Sequence, residues 1–152
     1  MFLLLVKWVH ILAAITAVGA NITYGIWIAR ASSDRKVLPF VLRNIRFIDN
    51  RVANPCYGLL LLTGLIMAFL VPIPLTTPWL LTALMLYFVA ALVGVLAYAP
   101  VLKRQIQLLD VEGGDSPNYA AMAKQGRLLG IVTGIAVIAI VFLMVVKPAL
   151  WA

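Results

Sequence analysis

Residues 7–28, KWVHILAAITAVGANITYGIWI, decide how this chain folds. They form an apolar segment of membrane length in which polar and small residues recur in steps of three and four. On a helix these steps produce one narrow stripe. The stripe comprises Lys7, His10, Ala14, Ala17, Asn21, Tyr24 and Ile28. Because the rest of the segment is apolar, we predict a membrane-spanning helix whose stripe faces protein.

The composition extends this interpretation to the whole chain. Of its 152 residues 64% are hydrophobic and 11% are charged, whereas globular domains have roughly a quarter charged residues. Each span needs about 20 residues. We therefore predict an all-α fold, a four-transmembrane-helix bundle that forms one integral membrane domain over residues 1–152. The predicted spans cover about 2–29, 55–71, 79–99 and 128–146.

The basic residues predict the topology. Ten of the twelve Lys and Arg residues lie within 30–51 and 103–127, and an excess of Lys and Arg marks cytoplasmic loops. We therefore expect loops 30–54 and 100–127 in the cytoplasm and both termini outside. The net charge of +7 could suggest nucleic acid as a partner, but its concentration beside the spans argues against that class.

The first basic loop has helical periodicity. Apolar residues at Leu38, Val41, Leu42, Ile45, Ile48 and Val52 alternate with arginines. This pattern predicts an amphipathic interfacial helix on the cytoplasmic leaflet, with anionic lipid headgroups as partners of the 30–54 loop. The alternative is a specific pocket for a phosphate or a carboxylate.

Prolines predict a helix start or a connector at three places in the chain. Asn54-Pro55 and Ser116-Pro117 each resemble a cap followed by proline at the first helical position, so we predict a helix start at both. The segment 72–78 contains three prolines and no charge, which predicts a tight outer connector.

Span four carries Gly126, Gly130 and Gly134, one glycine every four residues. Such a face lets a neighbouring helix approach closely. The spacing does not distinguish a partner helix in this chain from one in a second copy or in a larger membrane complex. Thr63-Gly64 and Thr133-Gly134 also repeat, which hints at two related hairpins.

The sequence contains few residues that could catalyse a reaction or bind a metal. We find no paired carboxylates in a span, no nucleophile motif and no phosphate loop. Asp and Glu are predicted only in cytoplasmic loops, which argues against a proton or cation path through the bundle. The predicted topology places four soft or imidazole ligands in the outer half of the membrane: His10, Met67, Met85 and Met144.

Imidazole with thioether suits heme iron or copper. In that interpretation His10 is the ligand and Lys7 lies beside it on the same face. The alternative is that the methionines fill apolar space and that His10 makes a structural hydrogen bond. Asn21 and Tyr24 are expected to form hydrogen bonds between helices.

Several motifs carry a resemblance to known families. Lys7-x-x-His10 followed by Gly19 is similar to the first helix of copper-resistance protein D and of HemJ-type protoporphyrinogen oxidases, in which the first-helix His is a heme ligand. Only His10, with Lys7, matches. The third span, 79–99, lacks the Lys and His of the HemJ pattern, so the resemblance implies heme b or copper binding rather than porphyrinogen oxidation.

The chain as a whole more closely resembles a bacterial family of four-span integral membrane proteins described only as a domain of unknown function. The matching motifs are 52–58 (VANPCYG), 62–65 (LTGL), 73–79 (IPLTTPW) and Pro148. This resemblance implies the bacterial inner membrane. Two functions stay open: an accessory or scaffold subunit that is not an enzyme, and a heme- or copper-binding redox protein, which as an enzyme would be a heme-dependent oxidoreductase.

Overall fold

The computed structural model describes residues 1–34 and 36–150, and Arg35 of the first basic loop lies outside the described residues. Six α-helices and two π-helical turns make up the described part. The elements are α1 (Phe2–Ala31), α2 (Leu38–Ile48), a first π turn (Asp49–Ala53), α3 (Asn54–Leu70), α4 (Pro78–Val93), a second π turn (Gly94–Tyr98), α5 (Ala99–Val111) and α6 (Pro117–Val146). The all-α fold class is confirmed.

Several of these elements join into continuous helices. The described residues contain four helices long and apolar enough to cross a membrane: Phe2–Ala31, Leu38–Leu70, Pro78–Val111 and Pro117–Val146. Each contains one predicted span, so the four-span prediction is confirmed. The connector at 72–78 is also confirmed, because α3 ends at Leu70 and α4 begins at Pro78.

The predicted helix start at Asn54-Pro55 is wrong. Asn54 is already helical, and its backbone N–H donates to the carbonyl of Asp49, five residues earlier. Pro55 lacks an N–H, and its ring would clash with the carbonyl four residues before it in a regular α-helix. The π turn widens the backbone at this point, so the helix continues through the proline.

A π turn also accommodates the second internal proline, Pro100. The backbone N–H of Ala99 donates to the carbonyl of Gly94, directly before Pro100. At Ser116-Pro117, by contrast, the predicted cap is confirmed, because the Ser116 hydroxyl accepts from the backbone N–H of Tyr119 at 3.0 Å. Here extended backbone precedes the proline, and the helix begins there.

The spans pair as two antiparallel hairpins. Helix α1 packs along α3, and α4 packs along α6, whereas the described backbones of α3 and α4 do not approach each other. At the connector end, the Lys147 ammonium lies 5.3 Å from the centre of the Trp79 ring, which joins α6 to α4. The hairpins meet mainly at the end that carries the two basic loops, through contacts of α2 with α5 and of α1 with α6.

The main hydrophobic core lies at this loop end. Leu38, Leu42 and Ile45 of α2 are the largest fully buried side chains. They pack in one cluster with residues of α1, α5 and α6, among them Leu102 and Ile106. The predicted amphipathic helix is therefore present, but its buried stripe packs on protein. The expectation that this stripe rests on the membrane leaflet is wrong for these three residues, because α5 extends from the third span to cover them.

The glycine face of α6 is divided between two environments. A Cβ atom at Gly126 would clash with Nε2 of Gln105, and one at Gly130 would lie 4.0 Å from the Tyr98 ring. At Gly134 a Cβ atom would meet nothing within 4 Å. The first two glycines therefore serve packing inside this chain, and only Gly134 leaves its surface open.

Candidate functional site

His10, the only histidine, lies between α1 and α3. Its Nδ1 atom is 2.8 Å from Oγ1 of Thr63, and Oγ1 of Thr63 is 2.5 Å from the carbonyl of Leu59, to which it donates. A hydroxyl has one proton, so Thr63 accepts from the imidazole N–H at Nδ1. In the neutral ring this tautomer places the lone pair on Nε2, and the ring also forms a hydrogen bond with the backbone of Leu60.

Gly64 provides space for the imidazole. A Cβ atom at this position would lie 3.3 Å from Cε1 and 3.9 Å from Nδ1 of His10. The Thr63-Gly64 pair therefore has two roles at His10. Thr63 fixes the orientation of the imidazole, and Gly64 lets α3 approach the ring closely. The matching pair Thr133-Gly134 bonds only its own helix, with the Thr133 hydroxyl donating to the Leu129 carbonyl at 2.8 Å.

The other predicted ligands do not all share this environment. Lys7 is exposed one turn before His10. Met67 is half-buried one turn beyond Thr63, on the same face of α3. Met85 is 60% exposed on α4, whose backbone does not approach that of α1, and Met144 is half-buried in the second hairpin.

Metal ligands of other kinds are scarce around the ring. Within residues 1–34 and 36–150 no three His, Cys, Asp or Glu side chains come together in a metal-binding arrangement. Any metal at His10 would therefore depend on thioether sulfur or on a macrocycle for its remaining ligands.

A second polar cluster lies near the two π turns, and sequence reasoning missed most of it. The Asn21 amide donates to the Tyr57 hydroxyl, so the expected hydrogen bond from α1 to another helix is confirmed for Asn21. The Tyr87 hydroxyl donates to the carbonyl of Tyr57 at 3.0 Å and bridges α4 to α3.

Asp49 lies in the first π turn rather than in a loop. The side chain of Asp49 is half-buried, and the Asn54 amide donates a hydrogen bond to it. The π turn that carries Asp49 packs against α1, and Tyr24 of α1 belongs to the hydrophobic cluster that Tyr98 also contacts. Asp49 was expected in the basic segment between the first two spans, and there it is helical, because the π turn continues α2 into α3.

Tyr24 also differs from its prediction. Its side chain is 4% exposed, and its hydroxyl has no hydrogen-bond partner among the described residues. A buried hydroxyl without a partner costs about 1–3 kcal/mol. The sequence signal was the position of Tyr24 on the polar stripe of α1, but nothing in the sequence indicated that its hydroxyl would be buried without a partner.

A groove at the loop end contains two arginine side chains. It is lined by Arg43, Arg46, Phe47, Asn50 and Ile106. The Arg43 guanidinium donates to the Asp110 carboxylate at 2.6 Å, which neutralises one of its two arginines. Arg46 and Asn50 are exposed and face the groove, where they can donate hydrogen bonds to an anion.

Comparison with known proteins supports the class of the molecule. The chain belongs to the family of predicted integral membrane proteins DUF2269, which matches residues 4–148. No curated protein and no solved structure matches it at a significant level. The resemblance to copper-resistance protein D and HemJ-type proteins therefore stays an expectation that depends on Lys7 and His10.

Proposed function

We propose that this four-span member of the family is an accessory or scaffold subunit, which associates with a second copy of itself or with a larger membrane complex. The observation that supports the proposal is the lack of close backbone packing between its two hairpins at α3 and α4, which are bridged there by the hydrogen bond from the Tyr87 hydroxyl to the Tyr57 carbonyl. The described backbones of α3 and α4 do not approach each other, although the connector between the two helices is short.

The exposed surface of α6 is consistent with this role. Gly134 leaves an open patch on a helix whose neighbours Ile131, Ile135 and Ile138 are exposed. Within a bilayer, helices associate through close packing at small residues rather than through the hydrophobic effect. A patch of this kind therefore suits contact with another helix.

A test uses Gly134→Leu, because a Cβ atom at this position meets nothing within 4 Å in the chain itself. We expect energy transfer between donor- and acceptor-labelled copies in lipid vesicles for the wild type, and a loss of transfer for Gly134→Leu. Gly19→Leu is the matched control, since its Cβ atom also meets nothing within 4 Å. A wild type that stays monomeric at every protein-to-lipid ratio and purifies without a stoichiometric membrane partner contradicts the proposal.

The second candidate function is a redox protein that binds heme b or copper through His10. The specific observation is the hydrogen bond from Nδ1 to Thr63. Metal-ligating histidines commonly donate from the second ring nitrogen to a fixed acceptor, which orients the ring. The residues present fit a single imidazole ligand, and bound heme or copper would supply one-electron chemistry.

The absorption spectrum and metal content of the protein purified in detergent test this candidate. We expect a Soret band or stoichiometric copper, its loss in His10→Ala, and no change in Met85→Leu, whose side chain is exposed. A protein with neither heme nor copper, prepared from cells supplied with both, contradicts the redox function and leaves the accessory function untouched.

We propose that anionic lipid headgroups bind in the groove beside Arg46. Its exposed guanidinium can pair with a phosphate bidentately. Flotation with vesicles does not test an integral protein, so the measurement is protection from thermal unfolding by added phosphatidylglycerol. We expect protection to fall for Arg46→Gln, while equal protection of wild type and Arg46→Gln contradicts the site.

The proposed location is the bacterial inner membrane with both termini outside. The two basic loops lie at one end of the bundle and the connector lies at the other, which supports the positive-inside argument. A protease-sensitive C-terminal tag tests it. Cleavage from the periplasm is expected, and cleavage only from the cytoplasm reverses the topology.

A further inference from the structure

The outward face of α2 carries two large apolar side chains. The buried stripe of this helix consists of Leu38, Leu42 and Ile45. On the opposite face Phe40 is 71% exposed and Phe47 is 62% exposed, and their spacing of seven residues places them on one side of the helix. Exposed phenylalanine is ordinary where a helix contacts lipid, so the depth of each ring decides what it contacts.

The helix that contains α2 is longer than a bilayer is thick. Leu38–Leu70 is one continuous helix, and at about 1.5 Å per residue Phe47 lies about 35 Å and Phe40 about 45 Å from its connector end. The hydrocarbon core is about 30 Å thick, and one headgroup layer adds about 5–8 Å. Phe47 therefore lies at the level of the headgroups, beside Arg46 of the groove proposed above for lipid, whereas Phe40 lies beyond the headgroups in water.

The second long helix places this region at a similar depth. The Arg43 guanidinium, one turn from Phe40, pairs with the Asp110 carboxylate at 2.6 Å. Asp110 belongs to Pro78–Val111 and lies about 48 Å from the connector end of that helix. An average tilt of about 20° shortens such a distance by only about 3 Å. Both helices therefore extend this end of the molecule past the headgroups.

The charge around Phe40 indicates what covers it. Lys36, one turn before Phe40, is exposed. Ten of the twelve Lys and Arg residues and all five Asp and Glu residues lie within 30–51 and 103–127, so the loop end is positively charged. A second copy in the same bilayer would present the same face at the same depth, and its like charges would oppose contact. An acidic protein segment complements both the charge and the apolar ring.

We propose that the face of α2 around Phe40 docks an acidic segment of a partner protein, with Phe40 as the apolar anchor and Lys36 as a charged contact. Aromatic residues are typical anchors of protein interfaces. The inference rests on the accessory function proposed above and specifies the chemistry of the partner. Because Arg43 pairs with Asp110 and the opposite stripe of α2 is buried, the docking face is already formed before the partner arrives.

The experiment introduces the photoreactive residue p-benzoylphenylalanine at position 40 of the full chain, in cells that naturally contain the protein. After irradiation we expect one discrete protein adduct, and mass spectrometry should locate the cross-link in a segment rich in Asp and Glu. Adding Lys36→Glu to this variant opposes like charges and should reduce the yield of the adduct at least about tenfold.

Two controls separate docking from general effects. Lys124→Glu makes the same change of charge on α6, whose backbone does not approach α2, and it must retain the adduct. The photoreactive residue in place of Phe69, which is 74% exposed within a span, must not form the adduct.

Five results overturn the proposal: no adduct at position 40, adducts with lipid alone, an adduct with a second copy of the chain, a cross-link outside an acidic segment, or an equal loss of yield in Lys36→Glu and Lys124→Glu. If one of these occurs while the wild type still self-associates or purifies with a stoichiometric membrane partner, the docking face is wrong and the accessory function stands. If the adduct, self-association and a membrane partner are all absent, both proposals are wrong.

Discussion

The loop end and the spanning half of this molecule bury different kinds of side chain. At the loop end, Leu38, Leu42 and Ile45 are fully enclosed by protein. Along the spans, most of the buried residues are small, as in Ala13, Ala17, Thr63, Ala68 and Ala83. The difference reflects the two solvents, water at the loop end and lipid around the spans. Water drives large apolar side chains together. In lipid this driving force is weak, and helices associate through small residues that let their backbones approach closely.

This comparison indicates where the two hairpins are held together. Large buried side chains join α2 to α5 at the loop end, whereas the backbones of α3 and α4 do not approach each other in the membrane. Substitutions at the loop end should therefore lower the free energy of unfolding more than substitutions at exposed span positions. The following predictions test this difference, from the largest effect to the smallest.

Leu42→Ala has the largest expected effect. Leu42 is 0% exposed, and truncating a buried leucine typically lowers the free energy of unfolding by about 2–5 kcal/mol. Denaturation in mixed micelles measures it. Phe40→Ala is the control on the same helix, because Phe40 is 71% exposed. Equal losses in the two variants would show that the loop-end core is not the main source of stability.

The glycines of α6 should respond in opposite directions. Gly126→Ala places a methyl group against Gln105, whose Nε2 donates to the Met122 carbonyl at 3.2 Å, so we expect a loss of about 1–2 kcal/mol. Gly134→Ala meets nothing and should gain up to about 1 kcal/mol from helix propensity.

A second substitution sharpens the glycine test. Gln105→Ala in the Gly126→Ala background removes the crowding, so it should restore part of the lost stability. If Gly126→Ala and Gly134→Ala have the same effect in thermal unfolding, α5 does not pack against α6 at this glycine.

Thr63→Val tests the spanning half. It removes the acceptor for the His10 imidazole, and we expect a loss of about 1 kcal/mol in the free energy of unfolding. Thr133→Val is the matched control, since the Thr133 hydroxyl bonds only to carbonyls of its own helix. A loss of the same size in both variants would indicate a backbone effect and argue against the His10 hydrogen bond.

Asp110→Asn should have the smallest effect. The substitution removes the ion pair between Arg43 and Asp110, whose side chains are 59% and 43% exposed, respectively. Exposed pairs contribute about 0–1 kcal/mol, and salt screens them. The difference in Tm from wild type should therefore be small in dilute buffer and should disappear at about 1 M salt; a difference that grows with salt contradicts a surface ion pair.

The sequence predicted the spans and missed how the helices pass their prolines. Apolar length located each span, and Ser116-Pro117 correctly marked a helix start. Asn54-Pro55 has the same cap-then-proline form, yet the helix continues because a π turn relieves the proline clash. The two outcomes differ in the backbone before the proline, which is helical at Asn54 and extended at Ser116.

The candidate sites were predictable to different degrees. His10 stood out as the only histidine on a polar stripe, but its partner Thr63 is 53 positions away and was noted only as part of a repeat. Asp49 was assigned to a loop on the basis of charge. Asp49 is helical because it lies in the first π turn, which the local sequence does not specify.

The sequence by itself determined the number of spans, the two basic loops and the amphipathic character of α2, because these depend on the length and periodicity of apolar runs. Only the tertiary structure decided which surfaces meet. In a membrane a stripe of small or polar residues identifies the face of a helix that contacts protein, but it does not identify the partner, since every lipid-facing helix is similarly apolar. For that reason Tyr24, predicted to have a hydrogen-bond partner, has a buried hydroxyl with no partner among the described residues.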